Sequence, residues 1–92
     1  MPTFVRYRFR QGGQLRQLLF GTVTECLYSV LLDFHRGRAD PLAVEYGSRC
    51  LYDAAALARI YAACRAELLA TNEQVPTNLE AVARGELGEP RL

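Results

Sequence analysis

The sequence predicts an α+β fold. We expect a two-layer sandwich in the order ββαββα, a small antiparallel sheet with two main helices on one face and a short C-terminal helix. Three observations carry this. Residues 3–10 alternate strictly and run into a Gly-Gly turn; residues 42–52 carry a second hairpin signal; residues 54–70 carry an apolar stripe of helical period.

In the first segment Val5, Tyr7 and Phe9 face one way, and Arg6, Arg8 and Arg10 face the other. Period-two alternation of β-branched and aromatic residues with charge marks a strand with one buried face. Pro2 suits its first position. Gln11-Gly12-Gly13 is a turn, because glycine reaches positive φ without steric cost.

Residues 14–36 admit two readings. As one helix, Leu15, Leu18, Leu19, Val23, Cys26, Leu27, Val30, Leu31 and Phe34 form its stripe. As strand and then helix, residues 15–21 return antiparallel and Thr22 to Glu25 form a capping box. Gly21 decides for the second, since glycine in a helix interior costs about 1 kcal/mol against alanine. Gly37 then ends the helix, with His35 and Arg36 as cations in its last turn.

Leu42, Val44 and Tyr46 share one face of a short strand, Gly47-Ser48 turns it, and residues 49–52 return. Asp53 is the N-cap of the next helix, whose stripe is Leu57, Ile60, Tyr61, Cys64 and Leu68. Thr77 to Glu80 reads as another capping box, opening a helix over about 78–84 that Gly85 stops. Residues 1–71 are therefore expected to form one α+β domain, and residues 72–92 a short helix and a frayed tail. The two ββα halves share a plan but no detectable residue identity.

Charge is unevenly spread. The net charge is +1, yet residues 1–20 hold four arginines and no acid. Every basic residue is Arg, which we attribute to codon bias in a GC-rich bacterial genome rather than to a need for phosphate-binding forks. No apolar run reaches the roughly 18 residues of a membrane span. The start of the chain lacks the apolar h-region of a signal peptide. Cys26, Cys50 and Cys64 lie in apolar or amphipathic stretches, so we expect reduced, buried thiols in a cytoplasm.

Catalytic and metal chemistry find little support. Cys26, His35, Cys50 and Cys64 lack the clustered pairs of zinc sites, so no metal or cofactor is expected. His35 must serve any nucleophile, but it stands at a helix end, and its neighbour Asp33 points elsewhere on the helix. Asp40, Glu45 and Asp53 are scattered, and Gly12-Gly13 opens no phosphate loop.

The basic strand remains. Arg6, Arg8 and Arg10 project about 6.5–7 Å apart. We expect a small non-enzymatic protein-interaction or regulatory module, self-associating as a homodimer or docking another protein. Its surface would be Arg6, Arg8, Arg10, Arg16 and Phe4, with Arg36 and Arg38 from the nearby loop. Leu18 and Phe20 would add apolar area to that open face. Nucleic-acid binding by the same arginines is the alternative. It is disfavoured because Tyr7 and Phe9 face the core and cannot stack bases. A small enzyme ranks third. The alanines at 54, 55, 58, 62, 63 and 66 are expected to favour the helix and pack tightly on the sheet, with docking of a second chain on that small-residue face as the alternative.

Overall fold

The computed structural model describes residues 4–85. The strand start at Pro2 and Thr3 and the tail over 86–92 lie outside them. The order is β1 (Val5–Gln11), β2 (Gln14–Phe20), α1 (Val23–Arg36), β3 (Asp40–Tyr46), β4 (Arg49–Asp53), α2 (Ala54–Ala70) and α3 (Leu79–Ala83). The four strands form one antiparallel sheet, β2-β1-β3-β4, with α1 and α2 packed on it. The expected α+β sandwich is what the chain forms, and the strand-then-helix reading of residues 14–36 is correct.

Each hairpin is set by its turn. Gly12 and Gly13 both take positive φ (58° and 80°), so Gln11 pairs with Gln14 across a two-residue loop. Gly47 (φ 62°) joins Tyr46 to Arg49 in the same way. The central pair is β1 with β3. It carries a bulge at Leu42, next to Pro41, where a strand tolerates a residue without N–H.

The helix starts follow the caps. Thr22 Oγ1 accepts the Glu25 N–H at 3.1 Å, and Asp53 Oδ1 accepts the Ala56 N–H at 2.9 Å. Gly37 ends α1 in the left-handed conformation, and the Arg38 N–H then bonds the Asp33 carbonyl at 3.0 Å. The expected capping box at Thr77 does not form. Asn78 is the N-cap of α3, left-handed and without a side-chain cap bond. The Thr77 N–H instead donates to Glu67 Oε2 at 2.8 Å, since that carboxylate on α2 already lies within reach.

The core lies between sheet and helices. Tyr7 and Val44 come from the sheet, Leu27 and Leu31 from α1, and Leu57 and Leu68 from α2; all are fully buried. Each buried leucine contributes about 1.5–3 kcal/mol. Leu79, Val82 and Ala83 of α3 join the same cluster. Arg59 Nη2 donates to the Ala83 carbonyl at 2.9 Å and ties α3 to α2.

One expectation fails here. The alanines at 54, 55, 58, 62, 63 and 66 are all exposed, because the leucine, isoleucine and cysteine stripe takes the sheet-facing side. These alanines favour the helix by propensity and do not pack on the sheet. Leu31→Ala is therefore expected to lower stability by about 2–5 kcal/mol in urea denaturation. Ala62→Ser should stay within about 0.5 kcal/mol of the parent.

Candidate functional site

The antiparallel register decides which residues share a face. Arg6 pairs with Leu19, Arg8 with Gln17 and Arg10 with Leu15 across β1 and β2. These six side chains therefore stand on the open face, away from the helices, with Phe4 continuing the alternation. Leu18 and Phe20 pair with Tyr7 and Val5 and point to the helix side instead. The open face thus takes its apolar area from Phe4, Leu15 and Leu19, not from Leu18 and Phe20. The two-residue turn is the reason, since it puts Arg10 opposite Leu15.

The arginine row is less basic than the sequence suggests. Glu45 on β3 lies opposite Arg6 in register. Its Oε1 is 3.4 Å from Arg6 Nη1, and its Oε2 is 3.6 Å from Arg8 Nη1. Asp40 stands opposite Arg10. Three cations thus meet two carboxylates on this face. Such half-exposed pairs contribute only about 0–1 kcal/mol each to stability, but they cancel most of the local field.

Strand β2 is exposed on both faces. Leu15, Leu18 and Leu19 are 62%, 46% and 56% exposed. The other free edge, β4, is short, carries a bulge and has Arg49 and Asp53 at its ends. Bulges, brevity and charge are the devices that blunt a sheet edge. Strand β2 has none of them beyond Arg16.

On the helix side, β2 reaches past α1 and leaves a cleft of about 390 Å³. Phe9, Arg16, Leu18, Ser29, Asp33 and Arg38 are among its lining residues, with Gln11 and Gln17 at its β-hairpin side. A polar network runs along it. Fully buried Tyr7 donates its hydroxyl to Asp33 Oδ2 at 2.8 Å. Arg38 Nη2 lies 3.0 Å from Asp33 Oδ1. Gln11 Nε2 donates to the Arg38 carbonyl at 3.2 Å, and Gln11 Oε1 accepts from Arg16 Nη1 at 3.2 Å. The local sequence explains the convergence, because the Gly37 cap turns the chain so that Arg38 comes back over Asp33.

The sequence-predicted residues therefore separate into three places. Phe4, Arg6, Arg8 and Arg10 share the open face. Arg16 faces the helices, because it pairs with inward-facing Phe9, and joins Arg38 in the cleft. Arg36, in the same last turn of α1 as Asp33, belongs to a separate clamp on Glu73. It donates Nη2 to Glu73 Oε1 at 2.6 Å, and Tyr28 donates its hydroxyl to the Glu73 carbonyl. The Arg36 hydrogen bond holds the Glu73 carboxyl below the usual carboxylate range. This contribution is present above the unfolded pKa and disappears only as acid reaches the lowered value.

His35 is not a free cap. Its Nδ1 lies 3.0 Å from the Tyr61 hydroxyl and its Nε2 lies 3.9 Å from Glu73 Oε2, outside the cleft. Cys26 and Cys64 are buried, and burial pushes the Cys26 thiol up to about 12. Cys50, expected to be buried, is exposed on the open face, because it pairs with Glu45 on the edge strand β4. Among the described residues no group of three His, Cys, Asp or Glu side chains stands close enough to hold a metal ion. No helix there is long and apolar enough to cross a membrane.

No family model, curated protein or solved structure matches the chain. Sequence reasoning missed Tyr7–Asp33 and Ser29. A signal was present for Asp33: an acid near a helix C-terminus opposes the dipole and needs a partner.

Burial, and then the hydrogen bond to Asp33, raise the Tyr7 phenol above its ordinary pKa. Native Tyr7 keeps its proton where the unfolded chain loses it. Its contribution is thus intact below about pH 10 and falls as pH rises beyond. Tyr7→Phe is expected to cost about 1–3 kcal/mol at neutral pH in urea denaturation. Its loss of stability above about pH 10 should be shallower than the parent's. Equal stability of the two proteins would remove Tyr7 from the network.

Proposed function

We propose that this protein is a small cytoplasmic interaction module that self-associates through the β2 edge of its sheet. The single observation that carries the reading is the exposure of β2 along its length, with three leucines and no edge-blunting device beyond Arg16. An unpaired edge offers a row of backbone N–H and C=O groups to another strand.

The occupant is a second copy. With a twofold axis through Gln17, antiparallel β2 strands place Leu15 of one copy opposite Leu19 of the other, twice, on the open face. Gln17 meets Gln17 at the centre. Arg16 meets Leu18 on the helix side, so no like charges stand directly opposite. The result is a continuous eight-stranded sheet, with Phe4 and the arginine row flanking the seam. The arginines then serve as a solvated border and not as the anchor.

Nucleic-acid contact through Arg6, Arg8 and Arg10 has less support, because Glu45 and Asp40 stand among them. That reading requires retention on heparin that falls steeply with salt. The present reading expects the protein to pass through heparin at low salt.

Light scattering at micromolar concentration is expected to give the mass of a dimer. Leu19→Arg should give a folded monomer whose urea midpoint does not depend on protein concentration, whereas the parent's midpoint rises with concentration. A monomeric parent protein under those conditions would overturn the proposal.

A further inference from the structure

We propose that the cleft between β2 and α1 binds a small organic carboxylate, its charged end held by Arg16 and Arg38 and its apolar body lying against Phe9 and Leu18. The inference does not rest on self-association.

Charge is the first ground. Two guanidiniums and one carboxylate line the cleft. Asp33 is already engaged, with Tyr7 on one oxygen and Arg38 on the other. It acts as a fixed counter-ion and not as a vacant acceptor. Arg38 commits Nη2 to Asp33, which leaves its other N–H groups. Among the described residues Arg16 has only the neutral Gln11 amide as a partner. A cleft with one surplus guanidinium takes an anion.

Positioning is the second ground. One side chain, Gln11, holds both parts of the site. Its oxygen receives Arg16 and its amide grips the Arg38 backbone. Arg38 is further fixed by the left-handed Gly37 and by Asp33, which Tyr7 anchors to the central strand. Planar guanidinium forks match carboxylate geometry, and preorganisation lowers the entropy lost on binding.

The walls supply the third ground. About 390 Å³ lies at the small end of ligand pockets, and this open cleft is lined by more polar than apolar surface, with Phe9 buried at its floor. Phe9 and Leu18 are the apolar surfaces here, and the Ser29 hydroxyl has no protein partner among the described residues. The site therefore suits an aromatic or aliphatic acid.

Amide NMR of the full chain tests this, with benzoate as probe and benzylamine and inorganic phosphate as comparators. Benzoate is expected to shift the amides of Gln11, Leu18, Ser29 and Asp33 saturably. Arg16→Gln should weaken it about tenfold or more, whereas Arg65→Gln, on the exposed side of α2, should leave it unchanged. Benzylamine should not bind there, and phosphate should bind more weakly than benzoate. Absence of saturable shifts in the cleft would overturn the proposal. So would equal binding of benzylamine, tighter binding of phosphate, or full affinity in Arg16→Gln.

Discussion

The Tyr7–Asp33 hydrogen bond is the link on which the arrangement of the two layers depends. Tyr7 is fully buried on the central strand β1, and Asp33 is only 8% exposed on α1. In a low-dielectric interior such a bond is strong, and either partner left alone is costly. The bond also fixes the height of α1 over the sheet. Asp33 then holds Arg38, whose carbonyl receives Gln11, whose amide oxygen receives Arg16. One buried contact therefore propagates outward, through four side chains, to the mouth of the cleft. Elsewhere on α1, Arg36 and His35 of the last turn, with Tyr28, gather round Glu73 and lock the segment after α2 against the same helix.

Uneven cover of the sheet follows from this geometry. Helices α1 and α2 bury the inner face of the central strands β1 and β3, while no residue of the margins β2 and β4 is fully buried and β2 is the more exposed of the two. The chain spends three leucines on a strand that buries none of them well. At the opposite margin it uses charge, a bulge and short length. Edge management at one end and not at the other is the contrast on which the proposal of β2 as a docking strand rests. The open face adds Phe4 and a nearly neutralised arginine row, which would flank the seam of the proposed dimer.

Much of the fold was legible because its signals are local. Alternation in residues 5–10, the Gly12-Gly13 turn, the Thr22 and Asp53 caps and the Gly37 stop each follow from the chemistry of a few neighbouring residues. The candidate site was less legible. Gln14–Phe20 has no alternation, because neither face is buried, so only the register across Gly12-Gly13 shows where Leu18 and Arg16 point. Glu45 lies 39 residues from Arg6, and only the β1–β3 pairing brings them together. Arg36 and Arg38 are near neighbours in sequence, yet the left-handed Gly37 sends them to separate carboxylates. The alanines of α2 and Cys50 were misread for one reason: burial depends on which side of an element meets the other layer, and small residues do not announce a side.

Amide hydrogen exchange of the full chain at several dilutions tests the central claim most directly. If β2 pairs with a second copy, its amides that do not face β1 are protected at high concentration and lose that protection on dilution. The amides of β4 stay unchanged across the same series. Protection of β2 that is absent, or independent of concentration, would contradict the assignment of β2 as the docking edge.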